Sequence, residues 1–174
     1  DGGAIFTNSD ELAEKMRSIH VHGQGKDKYD NVRIGLNSRL DSMQAAVLLE
    51  KLSIFDEELI KRNKVADEYS KRLSNYFDIP VIPNGYTSSW AQYTLKANNS
   101  EHREHIIGEM SKNGIPVMIY YPIPIHKSGA FSDTLSYDME DCEDISNRVF
   151  SIPMHPYLSE DEIDNICNTL ISVK

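Results

Sequence analysis

From Leu36 to Ile79 the chain contains neither glycine nor proline. The two residues that most readily interrupt a helix are missing there, so helix is the default for most of the span. Asp41 and Gln44 stand at the spacing of an N-cap and its capping-box partner. Ala45, Leu48, Leu49 and Leu52 then recur at i, i+3, i+4 and i+7, one face of a helix. A kink is predicted near Ser53 to Asp56. Beyond it Ala66, Tyr69, Leu73 and Tyr76 share a side, and Asp78-Ile79-Pro80 is predicted to end the helical span.

Just before this helix lies the polar loop Gly35-Leu36-Asn37-Ser38-Arg39-Leu40. Free N–H groups and the helix dipole favour anions at such a place. Arg39 offers a planar donor fork suited to carboxylate or phosphate, with Asn37 two residues away. An arginine near a helix start also serves as a local surface contact, and spacing alone leaves both readings open. Upstream, Gly3 to Thr7 reads as a short buried strand, and Asn8, with Glu11 three residues on, as the cap of a helix with the stripe Leu12, Met16, Ile19. Gly23 and Gly25 are predicted to end it. His20 and His22 alternate as ligands on a strand would, but no third ligand candidate is near, so no metal site is expected. The charged loop Lys26 to Gly35, carrying Tyr29, is long enough to have a role beyond connection.

Downstream, Ala91, Tyr93, Leu95 and Ala97 alternate with polar residues as in a half-buried strand. A helix from Ser100 with inner face Ile106, Ile107 and Met110 is predicted to close at Gly114, with His102 and His105 on its solvated side. Ile115, Val117 and Ile119 alternate as a second strand. It leads into Tyr120-Tyr121-Pro122-Ile123-Pro124-Ile125-His126-Lys127, where two prolines forbid helix and central strand. Such a rigid, aromatic-bearing loop suits a ligand wall, or the tyrosines only pack the domain edge. Asp138 to Val149 is predicted as a helix with Cys142, Ile145 and Val149 inward, followed by a strand at Phe150 to Ile152. Ser159 and Glu162 form a capping box for a helix whose face is Ile163, Ile166, Cys167 and Leu170.

With 174 residues there is room for one domain with a real core, or a domain plus part of another. The net charge of -9, with both signs interspersed, argues against nucleic acid or an anionic membrane as partner. No apolar run is long enough to span a membrane. Cys142 and Cys167 fit no CxxC pattern, and each falls at an apolar helical position. Buried free thiols in a reducing cytoplasm are expected.

Four blocks carry a family resemblance. Asn37-Ser38-Arg39-Leu40-Asp41 with Gln44-Ala45-Ala46 resembles the "NSRLDxxQAA" block of the nucleotide-sugar aminotransferases, the DegT/DnrJ/EryC1/StrS type of pyridoxal-phosphate (PLP) enzyme. Asp1-Gly2-Gly3-Ala4-Ile5-Phe6-Thr7 is similar to that family's "GDGGAIFT", Tyr121 to His126 to its "HYPIPLH", and Ser151 to Ser159 to its "SLPMHPYLS". The blocks occur in family order along the whole chain. The group most resembled acts on UDP-2-acetamido-2-deoxy-3-oxo-glucuronate in surface-polysaccharide pathways.

The resemblance implies an α/β fold, the C-terminal part of a fold type I PLP-dependent transferase, with a small mixed or antiparallel sheet and packed helices. Residues 1–53 would be a remnant of the large PLP-binding domain and residues 54–174 the small domain. The chain opens inside a motif and without Met, which reads as part of a longer enzyme. The family's Schiff-base lysine falls before its "GDGGA" strand, so no catalytic residue is assigned here. Lys15, Lys26 and Lys28 do not occupy that position. Asn37 is implied to reach the PLP phosphate of the partner subunit of a homodimer. Arg39 is implied to pair with an acidic group of the nucleotide-sugar, and Tyr120, Tyr121 and His126 to line the substrate path. Tyr120 departs from the pattern, which has His there. Glutamate would be the amino donor, in the cytoplasm. Two alternatives remain at this point: a non-catalytic truncated module acting as an interaction or structural domain, and half of a PLP-dependent sugar dehydratase.

Overall fold

The computed structural model describes residues 2–134 and 137–174. Two compact units are distinguished, Asp1–Ile54 and Phe55–Lys174.

The first unit holds helix α1 (Asp10–Ile19) and helix α2 (Ser42–Ser53). The cap of α1 is Ser9, whose side chain accepts from Leu12 N, one residue later than Asn8. Both residues are able caps, and Ser9 N donating to Thr7 Oγ1 sets the choice. The expected strand at Gly3 to Thr7 is not formed: Asp1 lies outside the described residues, and Ile5 and Phe6 are exposed. A strand exists through its ladder, and among the described residues nothing pairs with this one. Of the expected stripe on α1, Met16 and Ile19 are half-buried while Leu12 is exposed. Asp41 caps α2 by accepting from Gln44 N at 2.9 Å. The α2 face of Leu48, Leu49 and Leu52 is exposed within its unit. Ile54 interrupts the long helical span between α2 and helix α3 (Phe55–Leu73), where the kink is predicted.

The second unit is built on α3. Its face of Val65, Ala66, Tyr69 and Leu73 is buried. Opposite lie strand β1 (Tyr93–Lys96), helix α4 (Ser100–Lys112), helix α5 (Glu140–Arg148), strand β2 (Val149–Ile152) and helix α6 (Glu160–Ser172). β1 and β2 pair antiparallel, Tyr93 facing Ile152 and Lys96 facing Val149. Tyr93 and Leu95 point into the core between half-exposed Thr94 and Lys96, as the alternation predicts. β2 is buried on both faces. Its inner edge pairs with β1, and among the described residues its other edge bonds only to Met118, through Met118 N to Ser151 O at 3.0 Å and Ser151 N to Met118 O at 2.7 Å. The expected strand Ile115 to Ile119 is therefore reduced to a single bridge, because Pro116 has no N–H to extend the ladder. On the far edge of β1 a bridge joins Asp78 to Lys96.

Ile106 and Met110 of α4, Phe150 of β2, and Ile163, Ile166, Cys167 and Leu170 of α6 complete the core. Each such burial contributes roughly 1.5–3 kcal/mol. Ser159 and Glu162 make the full reciprocal capping box on α6. Burial pushes the Cys167 thiol up to about 11, against the opposing pull of Arg72.

Polar clamps hold the loops to this core. Tyr69 Oη donates to Pro153 O at 2.8 Å, and Arg62 Nη1 donates to Trp90 O at 2.9 Å and to Met154 O at 3.3 Å. Trp90 sits at φ 47, a region unfavourable for a bulky residue. Its ring stacks on Tyr93 with centroids 5.4 Å apart and its Nε1 donates to Asn63 Oδ1 at 3.0 Å.

Four further expectations are corrected in this unit. α3 ends at Leu73 rather than near Asp78, because Tyr76 and Phe77 both donate to Leu73 O in a turn. That turn puts Phe77, not Tyr76, into the core. On α5 the inward residue is Ser146, while Cys142 and Ile145 are exposed and Val149 belongs to β2. Arg103 Nη1 donating to Ser146 O at 2.9 Å fixes that face. His102 is half-buried, its ring stacked on Phe77 and its Nδ1 accepting from Asn98 N, whereas His105 is exposed.

Candidate functional site

In the first unit the loop after α1 is folded back and fastened. Leu36 N donates to Ile19 O at 2.7 Å, His22 N to Leu36 O at 2.8 Å, and Ser38 N to His20 O at 3.1 Å. Asn37 thus bridges to Val21 in an antiparallel pair. The buried Ser18 Oγ donates to Gln24 O at 2.6 Å, and Gly25 N donates to Asp30 O at 2.7 Å, closing the charged loop on itself. Gly23 makes the reversal at φ 72. Two anchors therefore hold the short segment 37–40: the clasp to α1 on one side and the Asp41 cap of α2 on the other.

Asn37 and Arg39 both stand exposed on that segment, and Arg39 Nε donates to Asn37 Oδ1 at 3.3 Å. The contact uses the amide oxygen of Asn37 and leaves its NH2 group, with the two terminal nitrogens of Arg39, as donors. This donor set fits an anion such as a phosphate or a carboxylate. Among the described residues no group of three or more His, Cys, Asp and Glu is arranged for a metal ion. No helix among them is long and apolar enough to cross a membrane.

In the second unit Tyr120 is half-buried and Tyr121 exposed, with their rings edge to face and centroids 5.5 Å apart. Pro122 and Pro124 keep the following segment extended, until a short 3-10 turn at Ile125–Lys127. That turn carries His126, whose side chain is only 18% exposed. His126 Nε2 lies 3.0 Å from Glu143 Oε1 on α5, and Lys127 Nζ pairs with the other oxygen of the same carboxylate. These two bonds, Lys127 first and His126 second, hold the Glu143 carboxyl below the usual carboxylate range. The structure thus joins Arg39 to Asn37, Tyr120 to Tyr121, and His126 to Glu143. Sequence reasoning missed Glu143. It lies 17 residues from His126, and no helical or strand period links the two positions.

Residues 1–171 match the family model described as the DegT/DnrJ/EryC1/StrS aminotransferase family. The chain belongs to this family. A curated relative, the UDP-2-acetamido-2-deoxy-3-oxo-D-glucuronate aminotransferase of Pseudomonas aeruginosa, is 43% identical over 171 residues, covering 98% of this chain and 46% of the relative. Among solved structures, a DegT DnrJ EryC1 StrS aminotransferase from Brucella abortus superposes with a TM-score of 0.87 at 41% identity, over 96% of this chain and 44% of that one. Another, ntda from Bacillus subtilis with bound cofactor PMP, gives 0.82 at 26% identity, over 96% of this chain and 40% of that one. The chain spans a little under half the length of these relatives. Its fold is that of the fold type I PLP-dependent sugar aminotransferases, as the sequence blocks imply.

Proposed function

We propose that these 174 residues form the substrate-facing part of a cytoplasmic PLP-dependent aminotransferase that moves an amino group from glutamate to a keto-sugar nucleotide in surface-polysaccharide biosynthesis. The observation that carries this reading is the exposed Asn37–Arg39 donor pair, fastened at both ends, in a chain 43% identical to an enzyme named for a glucuronate substrate. On this reading residues 1–53 belong to a large cofactor-binding domain and residues 54–174 to a small one. The active assembly is a homodimer.

PLP, when bound, supplies the electron sink that lets the amino group change carbons. Asn37 donates its amide N–H to the cofactor phosphate across the dimer contact. Arg39 grips the uronate carboxylate and so orients the sugar. Tyr121 lends a hydroxyl to the ligand. Tyr120, where the family pattern has His, donates or accepts a hydrogen bond but carries no positive charge near neutral pH. His126 completes the substrate wall from its anchored turn. None of these groups is assigned the proton transfer at carbon, and no lysine of the chain occupies the family's catalytic position.

The chain by itself is therefore expected to be silent. Transamination needs a covalent anchor for the cofactor and a base for the migrating proton. Mixed with PLP, glutamate and a 3-keto nucleotide-sugar, the purified chain should yield no amino-sugar by mass spectrometry beyond PLP alone. Turnover above that background would show that a lysine within these residues does the work.

Arg39→Ala, placed in the complete enzyme, should weaken a uronate substrate more than its neutral analogue. A charge-assisted pair is worth on the order of 1.5–3 kcal/mol, or about a 10- to 150-fold difference between the two substrates. Equal losses in apparent affinity would remove the carboxylate from Arg39.

A further inference from the structure

We propose that Glu143 is a positioning residue: it holds His126 in the tautomer protonated at Nε2, which leaves Nδ1 as a hydrogen-bond acceptor for a hydroxyl or amide N–H of the sugar substrate. The inference rests on the reading of His126 as part of the substrate wall.

The direction of the bond follows from its partner. An ionised carboxylate accepts and cannot donate. Glu143 is ionised at neutral pH, since Lys127 and His126 both pull its carboxyl below the usual range. The 3.0 Å contact must then be Nε2–H of His126 donating to Oε1. In the neutral form, where the imidazole carries one proton, Nδ1 is then left with its lone pair. Rotation of the ring about its bonds is also restrained. The side chain is 18% exposed, and its backbone lies in a turn where Lys127 N donates to Pro124 O and Ser128 N to Ile125 O. Lys127 occupies Oε2 of the same carboxylate and so leaves Oε1 for the imidazole. A nitrogen that is uniformly an acceptor suits a sugar, whose hydroxyls donate readily. A histidine free to exchange tautomers would offer that acceptor only part of the time.

The test has two arms. In the first, the chain labelled with 15N-histidine is studied by long-range proton–nitrogen correlation at pH 8, with His126 assigned by the signal lost in H126A. His126 is expected to show a protonated Nε2 and a bare Nδ1, and Glu143→Ala should shift it to a mixture. A protonated Nδ1 in the unaltered chain, or a spectrum unchanged in Glu143→Ala, overturns the proposal. In the second arm the same variants are placed in the complete aminotransferase. Glu143→Ala should lower kcat/KM about tenfold, chiefly through KM, the scale of one lost hydrogen bond. Glu143→Gln, whose amide oxygen still accepts from Nε2, should recover most of it. A loss that Gln does not recover, accompanied by a lowered melting temperature, marks a structural role and overturns the positioning one. An unchanged kcat/KM in H126A instead overturns the substrate-wall reading, whatever the tautomer. A normal loss in H126A with none in Glu143→Ala removes Glu143 alone.

Discussion

Replacing Phe150 by alanine is expected to cost about 3–5 kcal/mol of stability in the second unit. Phe150 is fully buried in β2, the strand with no solvent face, and meets Phe77 edge to face with centroids 6.0 Å apart. Its backbone is fixed by the pairing Leu95↔Phe150, so the neighbours cannot slide in to fill the space. A cavity bounded by paired strand and packed helices collapses little, which puts the cost at the upper end of such substitutions. Since whole domains are stable by only about 5–15 kcal/mol, the substitution removes a large share of that stability. Urea denaturation followed by the fluorescence of Trp90, which stacks on Tyr93 in the same core, reads the change. Ile145→Ala, on the exposed side of α5, should move the midpoint little. A Phe150→Ala cost no larger than that of Ile145→Ala would mean that β2 does not hold the core together.

Gly35→Ala should have the largest effect in the first unit. A Cβ there would stand 2.0 Å from Gly23 N, 2.4 Å from the His22 carbonyl carbon and 2.7 Å from Ile19 O. All three are backbone atoms, none of them the yielding end of a side chain. Relief requires the clasp to open, breaking the bonds from Leu36 N to Ile19 O and from His22 N to Leu36 O. Hydrogen exchange should therefore lose protection at the Leu36 and His22 amides, while the α6 amides of the second unit keep theirs. If Asn37 and Arg39 hold cofactor and substrate as proposed, their displacement should also lower kcat/KM of an aminotransferase containing these residues by about 100-fold, the scale set by ångström misplacement of an orienting group. Protected Leu36 and His22 amides in the variant would show that the loop tolerates the methyl group.

What could be read from the sequence was what local chemistry decides. The caps Asp41 and Ser159 are side chains bonding to backbone three residues away, so they need no knowledge of the fold. The α6 face and the alternation in β1 are likewise carried by their own periods. Errors arose where a distant partner decides. Pro116 was visible, but its effect on the strand depended on Met118 meeting Ser151. Tyr76 and Phe77 are neighbouring aromatics of similar size, and the turn onto Leu73 O brings Phe77, the one without a hydroxyl, into the core. Cys142, Ile145 and Val149 follow a helical period, yet α5 is rotated so that Glu143 reaches His126 and Ser146 faces inward. The same division holds at the candidate site. Asn37 and Arg39 announce themselves as polar residues ahead of a helix start, whereas the clasp through Gly23 and Gly35 and the anchor at Glu143 join residues that no short motif connects.

The small sheet also bears on how this chain behaves in a crowded solution. An open strand edge is a template on which another chain can add and start an aggregate. Here β2 is interior, lying between β1 and the Met118 segment, so the exposed edges fall to its neighbours. One of them is the Met118 segment, which pairs through a single bridge and is too short to template a strand. The other ends in Lys96, held to Asp78 by both a backbone bridge and a 2.7 Å ion pair. An intruding strand would have to displace that pair and leave a charge without its partner. Two short edges, one reduced to a single bridge and one occupied by charge, make this sheet a poor seed.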